Sequence, residues 1–125
     1  MITTSRSLVS VVDDDESVRE SLPDLLREFG FAARAFASAE EFLTSDCVAD
    51  TKCLILDVAM PGMTGPALQI ELSRRQWGIP IVFITAHRDE SIRPRLLEAG
   101  AVECLFKPFS ETALFNALAV ALRMN

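Results

Sequence analysis

The sequence lacks a basic excess, a cysteine framework and any long apolar run. Twelve Lys and Arg stand against eighteen Asp and Glu, giving a net charge of −6. A domain that grips a nucleic-acid backbone needs clustered Lys and Arg, so direct nucleic-acid binding by this chain is not expected. The three cysteines, Cys47, Cys53 and Cys104, are odd in number and fit no zinc or redox spacing. Cys53 and Cys104 sit inside apolar runs and read as small buried hydrophobes, as suits a reducing, cytoplasmic setting. No window approaches the ~20 apolar residues of a membrane span. Met1–Ser7 carries no long apolar stretch, so no signal peptide is expected. Tyrosine is absent, and the single tryptophan, Trp77, reads as surface packing at the end of a helix. There is no internal repeat, low-complexity tract or linker, and 125 residues fit a single domain spanning 1–125. A domain of this length buries roughly two-thirds of its unfolded surface and needs no staple to fold.

What is present is an alternation of short apolar runs with longer amphipathic ones. Leu8–Val12 is the first strand candidate, followed by Asp13–Asp15 and a helix over about Glu16–Phe29. In that helix Val18, Leu22, Leu25, Leu26 and Phe29 recur at helical spacing. Pro23 is expected to bend the helix rather than break it, and Gly30 to end it. Phe31–Phe36 alternates as a short edge strand, and Ser38 with Glu41 has the spacing of a capping box for a helix to about Thr44. Asp46–Lys52 reads as a polar loop and Cys53–Leu56 as a strand buried on both faces. Pro61–Gly65 is a turn, with Thr64 capping a helix to about Arg75 that tolerates Pro66 in its first turn. Ile81–Ile84 is the fourth strand, His87–Glu90 a loop, and Ser91–Ala99 a helix closed by Gly100. Val102–Phe106 is the fifth strand, and Ser110 caps a last helix striped with Leu114, Leu118 and Leu122. Five such βα units imply an α/β fold, a doubly wound parallel sheet with helices on both faces. Strand order 2-1-3-4-5 suits it, with ligands bound at the carboxyl ends of the strands.

The residues capable of chemistry fall at those ends. Strand one ends at Asp13 and Asp14, strand three at Asp57, strand four at Thr85 and strand five at Lys107. Each alone has an ordinary explanation: a solvated helix start, a turn acid, a β-branched strand end, a surface lysine. Their convergence on one sheet edge favours a site. Clustered carboxylates repel one another, and an all-oxygen set suits Mg²⁺. Lys107 supplies a positive charge and Thr85 a hydroxyl. An Asp carboxylate can act as nucleophile toward a phosphoryl group, and here no general base is expected because the carboxylate is ionised at neutral pH. Positioning and charge neutralisation then carry the reaction.

The segments Val11–Arg19 (VVDDDESVR), Leu56–Gly65 (LDVAMPGMTG), Ile81–Ala86 (IVFITA) and Phe106–Phe109 (FKPF) closely resemble the signatures of response regulator receiver domains. The resemblance spans about Leu8–Leu122 and is nearest the FixJ-like, nitrogen-fixation-type regulators, whose receivers precede a LuxR-type helix-turn-helix. It implies a flavodoxin-like fold and a phosphoprotein of a two-component system that is not an enzyme in the ordinary sense. Asp57 would be the phosphoacceptor, Asp14 a direct Mg²⁺ ligand, Asp13 a ligand through water, and the Ala59 carbonyl the remaining protein ligand. Thr85 would be the switch hydroxyl, Lys107 the phosphoryl-binding lysine, and the Lys107–Pro108 bond cis. Asp15 would cap the first helix. The implied partners are a sensor histidine kinase and, after phosphorylation, a second copy meeting through the face of the fourth helix and fifth strand, part of an output face formed by the last two helices and fifth strand. The implied output is transcription regulation by an attached DNA-binding domain that these 125 residues do not contain.

One position departs from the pattern. Three residues before the lysine the family usually carries Phe or Tyr, and here it carries Cys104. This keeps open a receiver that serves as a phosphate-independent interaction module. His87 lies two residues past Thr85 and could modulate dephosphorylation, although a plain loop histidine is the simpler reading. A haloacid-dehalogenase-type phosphatase also uses an Asp nucleophile, Mg²⁺, Thr or Ser, and Lys. It needs a second Asp two residues on as general acid, where this chain has Ala59.

Overall fold

The computed structural model describes residues 6–86 and 90–123. Five strands and five helices alternate: β1 (Leu8–Val12), α1 (Glu16–Glu28), β2 (Ala32–Phe36), α2 (Ala39–Leu43), β3 (Thr51–Asp57), α3 (Gly65–Arg74), β4 (Ile81–Thr85), α4 (Ile92–Glu98), β5 (Glu103–Phe106) and α5 (Glu111–Ala121). The strands form one parallel sheet in the order β2-β1-β3-β4-β5, as expected, with β2 on an edge.

Period-two alternation along the strands sorts the core into two layers. Val12, Leu54, Leu56 and Phe83 pack on one face with Phe42 of α2, Leu68 and Leu72 of α3, and Leu96 of α4. Val9, Val11, Cys53, Ile55, Val82 and Ile84 pack on the other with Leu22 and Leu26 of α1 and Leu114 and Leu118 of α5. The central strands are apolar on both sides because each face carries helices. A fully buried Leu, Val or Phe contributes roughly 1.5–3 kcal/mol, so these two layers are the main source of stability.

Local signals set the element ends. The side chains of Ser38, Thr64 and Ser110 accept the backbone N–H of Glu41, Ala67 and Ala113, three residues on in each case. Gly30 follows α1 with φ +101°, in the left-handed region that a side chain resists. Helix α1 runs unbroken through Pro23, which is buried. Trp77 follows α3 exposed at the surface, with the Arg75 guanidinium 5.0 Å from its ring centroid. All three cysteines are free and buried.

The segment Asp46–Lys52 corrects the expectation of a loop. Val48–Asp50 is a single 3₁₀ turn, and β3 already begins at Thr51. Thr51 is buried despite its polar neighbours because its hydroxyl donates to the Cys47 carbonyl at 2.8 Å and pairs with the Ser10 hydroxyl at 2.7 Å. His87 lies outside the described residues.

Candidate functional site

Parallel strands bring their carboxyl ends to one edge, and there the candidate residues meet. Asp13 follows β1, Asp57 ends β3 opposite Ile84, Thr85 ends β4 opposite Phe106, and Lys107 follows β5. One carboxylate oxygen from each of Asp13, Asp14 and Asp57 lies within 4.8 Å of the others. Asp13, Asp57 and Thr85 are buried, whereas Asp14 is exposed.

Asp13 is held from every side. Its N–H donates to the Phe36 carbonyl at 3.1 Å, and its own carbonyl accepts from Arg19 Nη1 at 3.0 Å. Oδ1 accepts the Asp15 N–H at 2.9 Å, and Oδ2 is ion-paired with Lys107 Nζ at 2.9 Å. Lys107 is anchored in turn by its N–H, which donates to the Thr85 carbonyl at 2.8 Å, and the Lys107–Pro108 bond is cis. Asp15 stands apart from the trio. It caps α1 by accepting the N–H and hydroxyl of Ser17, and these bonds hold its carboxyl below the usual carboxylate range.

The loop after β3 is equally constrained. Val58 N–H donates to the Ile84 carbonyl at 3.1 Å, and Gly65 N–H donates to the Val58 carbonyl at 3.0 Å. A Cβ on Gly65 would fall 2.3 Å from the Asp57 carbonyl oxygen, so only glycine allows α3 to start this close to the acid. Ala59 lies exposed within the loop. Met63 N–H donates to Glu40 Oε2 at 3.0 Å, tying the loop to α2.

The expectation of a fully ionised acceptor needs correcting for the metal-free protein. Burial pushes the Asp57 carboxyl up to about 7, the Asp13 charge adds to the shift, and Lys107 opposes it. Lys107 is committed to Asp13, which leaves the trio short of positive charge. The donors are all oxygen, and the span of the trio approaches the roughly 3–4 Å between oxygens around one Mg²⁺ ion. The residues therefore fit a small hard divalent cation.

Sequence comparison agrees with this geometry. The profile for the response regulator receiver domain matches residues 9–119. The chain belongs to the response regulator receiver domain family. This receiver is 43% identical over 118 residues to nodulation protein W of Bradyrhizobium diazoefficiens, covering 94% of this chain and 52% of that protein. It is 37% identical over 114 residues to transcriptional regulatory protein FixJ of Azorhizobium caulinodans, covering 91% of this chain and 54% of that one. Among solved structures it resembles the response regulator StyR with a TM-score of 0.87 and 48% identity, over 97% of this chain and 61% of that one. The receiver thus spans about half the length of the curated relatives it matches. No helix among the described residues is long and apolar enough to cross a membrane.

Two residues of the site escape sequence reasoning. Arg19 had a signal, since it lies on the first helix within reach of the acid run, but its target is a main-chain carbonyl. Glu40 had none, because its partner lies 23 residues away across the fold.

Proposed function

We propose that this receiver accepts a phosphoryl group on Asp57 in a Mg²⁺-dependent reaction and passes the event to the face formed by α4, β5 and α5. The observation that carries the reading is the Asp13–Asp14–Asp57 trio with Lys107 beside it, at the carboxyl edge of the sheet. Asp57 is the nucleophile: its carboxylate oxygen bonds to phosphorus as the bond from phosphorus to the donor, a kinase histidine or a small phosphodonor, breaks. Bound Mg²⁺ would neutralise the trio and the phosphoryl oxygens. Asp14 and Asp57 would hold it with the Ala59 carbonyl, and Asp13 would act through water, in keeping with both Asp13 oxygens being engaged already. Lys107 supplies fixed positive charge to the transferring group, and Thr85 contributes its hydroxyl at the end of β4.

The downstream reading rests on family membership. The receiver works in the cytoplasm, a sensor histidine kinase is the donor, phosphorylation drives pairing of two copies, and an attached DNA-binding domain regulates transcription. The protein acts as a switch whose own residues catalyse transfer and later hydrolysis, rather than as an enzyme with a separate substrate. The whole described range acts as one receiver domain.

Intact mass after incubation with acetyl phosphate tests the reading. A single phosphoryl adduct that requires Mg²⁺ and is lost in Asp57→Asn supports it. No adduct on the wild type, with Mg²⁺ binding intact, points to a phosphate-independent interaction module and overturns it.

A further inference from the structure

Glu40 sits in the first turn of α2 with an exposed side chain and is none of the residues assigned above to the cation or the phosphoryl group. Its carboxylate reaches across to the loop after β3. Oε2 accepts the Met63 N–H at 3.0 Å, and a Cβ on Gly62 would lie 2.9 Å from the same oxygen, so the loop passes directly against the carboxylate. The element that carries Glu40 is firmly placed: Ser38 caps it, and Ala39 and Phe42 are fully buried. The loop it touches is pinned at both ends by the Val58 and Gly65 backbone bonds, and Val58 and Met60 are buried. Between those ends lies Ala59, whose carbonyl is the proposed main-chain ligand.

We infer that Glu40 is a positioning residue: by accepting the Met63 N–H it holds the loop after β3 in the conformation that offers the Ala59 carbonyl to the cation. The inference rests on the Mg²⁺ reading above and deepens it. Ordering a loop in advance removes an entropic cost from binding. The bond depends on an acceptor oxygen at this place and not on negative charge, which a pair of variants separates.

Glu40→Ala and Glu40→Gln are compared with the wild type in two measurements. Mg²⁺ affinity is read by isothermal titration calorimetry on the unphosphorylated protein, and Met63 amide exchange is read by NMR without metal. Glu40→Ala should weaken Mg²⁺ binding roughly tenfold, the low end of the loss seen when a group that orients metal ligands is removed. It should also expose the Met63 amide to exchange. Glu40→Gln keeps an acceptor oxygen and should restore both. Unchanged Mg²⁺ affinity in Glu40→Ala, or a Gln variant as weak as the Ala variant, overturns the inference while leaving the Mg²⁺ reading standing. A wild type that binds no Mg²⁺ overturns the Mg²⁺ reading itself, whatever the Met63 amide does.

Discussion

Lys107 Nζ lies 2.9 Å from Asp13 Oδ2, and the Asp13 side chain has no solvent exposure at all. A fully buried carboxylate depends on its partner, because removing one member of such a pair leaves a charge that water cannot reach. Lys107→Met should therefore destabilise the metal-free protein by about 2–3 kcal/mol, somewhat below the cost for a wholly buried pair because Lys107 itself is partly exposed. Asp13→Asn in the Lys107→Met background should recover much of that loss. Urea denaturation of the two single variants and the double variant measures the coupling, and additive effects would show that the pair contributes nothing to stability.

The Asp57 carboxyl gives a pH signature. Its value in the folded, metal-free protein is raised to about 7 by burial and by the Asp13 charge, from an ordinary value near 3.8. Between those limits the folded state holds more protons than the unfolded state, so stability falls as pH rises. The favourable contribution is complete below about pH 4 and lost once pH has risen through about 7. Thermal melts without Mg²⁺ should give a higher Tm at pH 5.5 than at pH 8. Asp57→Asn should flatten that slope and be the more stable protein at pH 8. Saturating Mg²⁺ should reverse the wild-type trend, because a cation favours the ionised trio. A wild-type Tm that rises from pH 5.5 to 8 without metal would contradict the raised value.

These residues also mark what could be read in the sequence and what could not. Ser38, Thr64 and Ser110 announced helix starts because a cap acts over three residues, and the ends of β1 and β3 followed from apolar runs stopped by acids. Asp13, Asp57, Thr85 and Lys107 converge because a parallel sheet puts all carboxyl ends on one edge. Thr51 was misread because the hydroxyl of Ser10, 41 residues away, satisfies it. The raised Asp57 carboxyl and the Glu40–Met63 bond come from neighbours that only the fold supplies. Local grammar was legible, whereas side-chain pairing across the sheet and electrostatic environment were not.

Gly65 offers a sharper steric test than any loop glycine. A Cβ there would lie 2.3 Å from the Asp57 carbonyl oxygen and 3.0 Å from the Phe83 ring, and the first of these contacts is backbone that cannot rotate away. Gly65→Ala must push α3 from the end of β3, with a loss of at least about 2–3 kcal/mol, at the upper end for overpacking. Phosphoryl adduct formation should slow with it, since Asp57 sits at the point of displacement. Gly78, around which a Cβ meets nothing within 4 Å, is the control, and Gly78→Ala should leave Tm nearly unchanged. Equal melting temperatures for the two variants would rule out this contact as the reason for glycine at 65.

Cys104 occupies the place where receivers usually carry an aromatic ring, and here it is 2% exposed in the layer that holds Phe83, its register partner on β4, and Leu96 of α4. Beside it, Glu103 Oε1 accepts the Cys104 N–H at 2.9 Å and is ion-paired with Arg93 of α4 at 2.6 Å, so the α4 to β5 contact is closed around a small side chain. Burial pushes the Cys104 thiol up from its ordinary range, which keeps it protonated and poorly nucleophilic. Restoring the family's aromatic by Cys104→Phe should then overpack this layer and cost about 1–3 kcal/mol. Because α4 is only seven residues long, the strain should be relieved by loosening α4, seen as faster amide exchange across Arg95–Glu98 with β1 and β3 unaffected. Cys104→Ser tests the opposite term: it keeps the size and adds a polar group to an apolar layer, for a loss of about 1–3 kcal/mol without selective loosening of α4. A Phe variant as stable as the wild type, with α4 exchange unchanged, would mean that this receiver already has room for the ring and that the cysteine does not set the packing of α4 on β5.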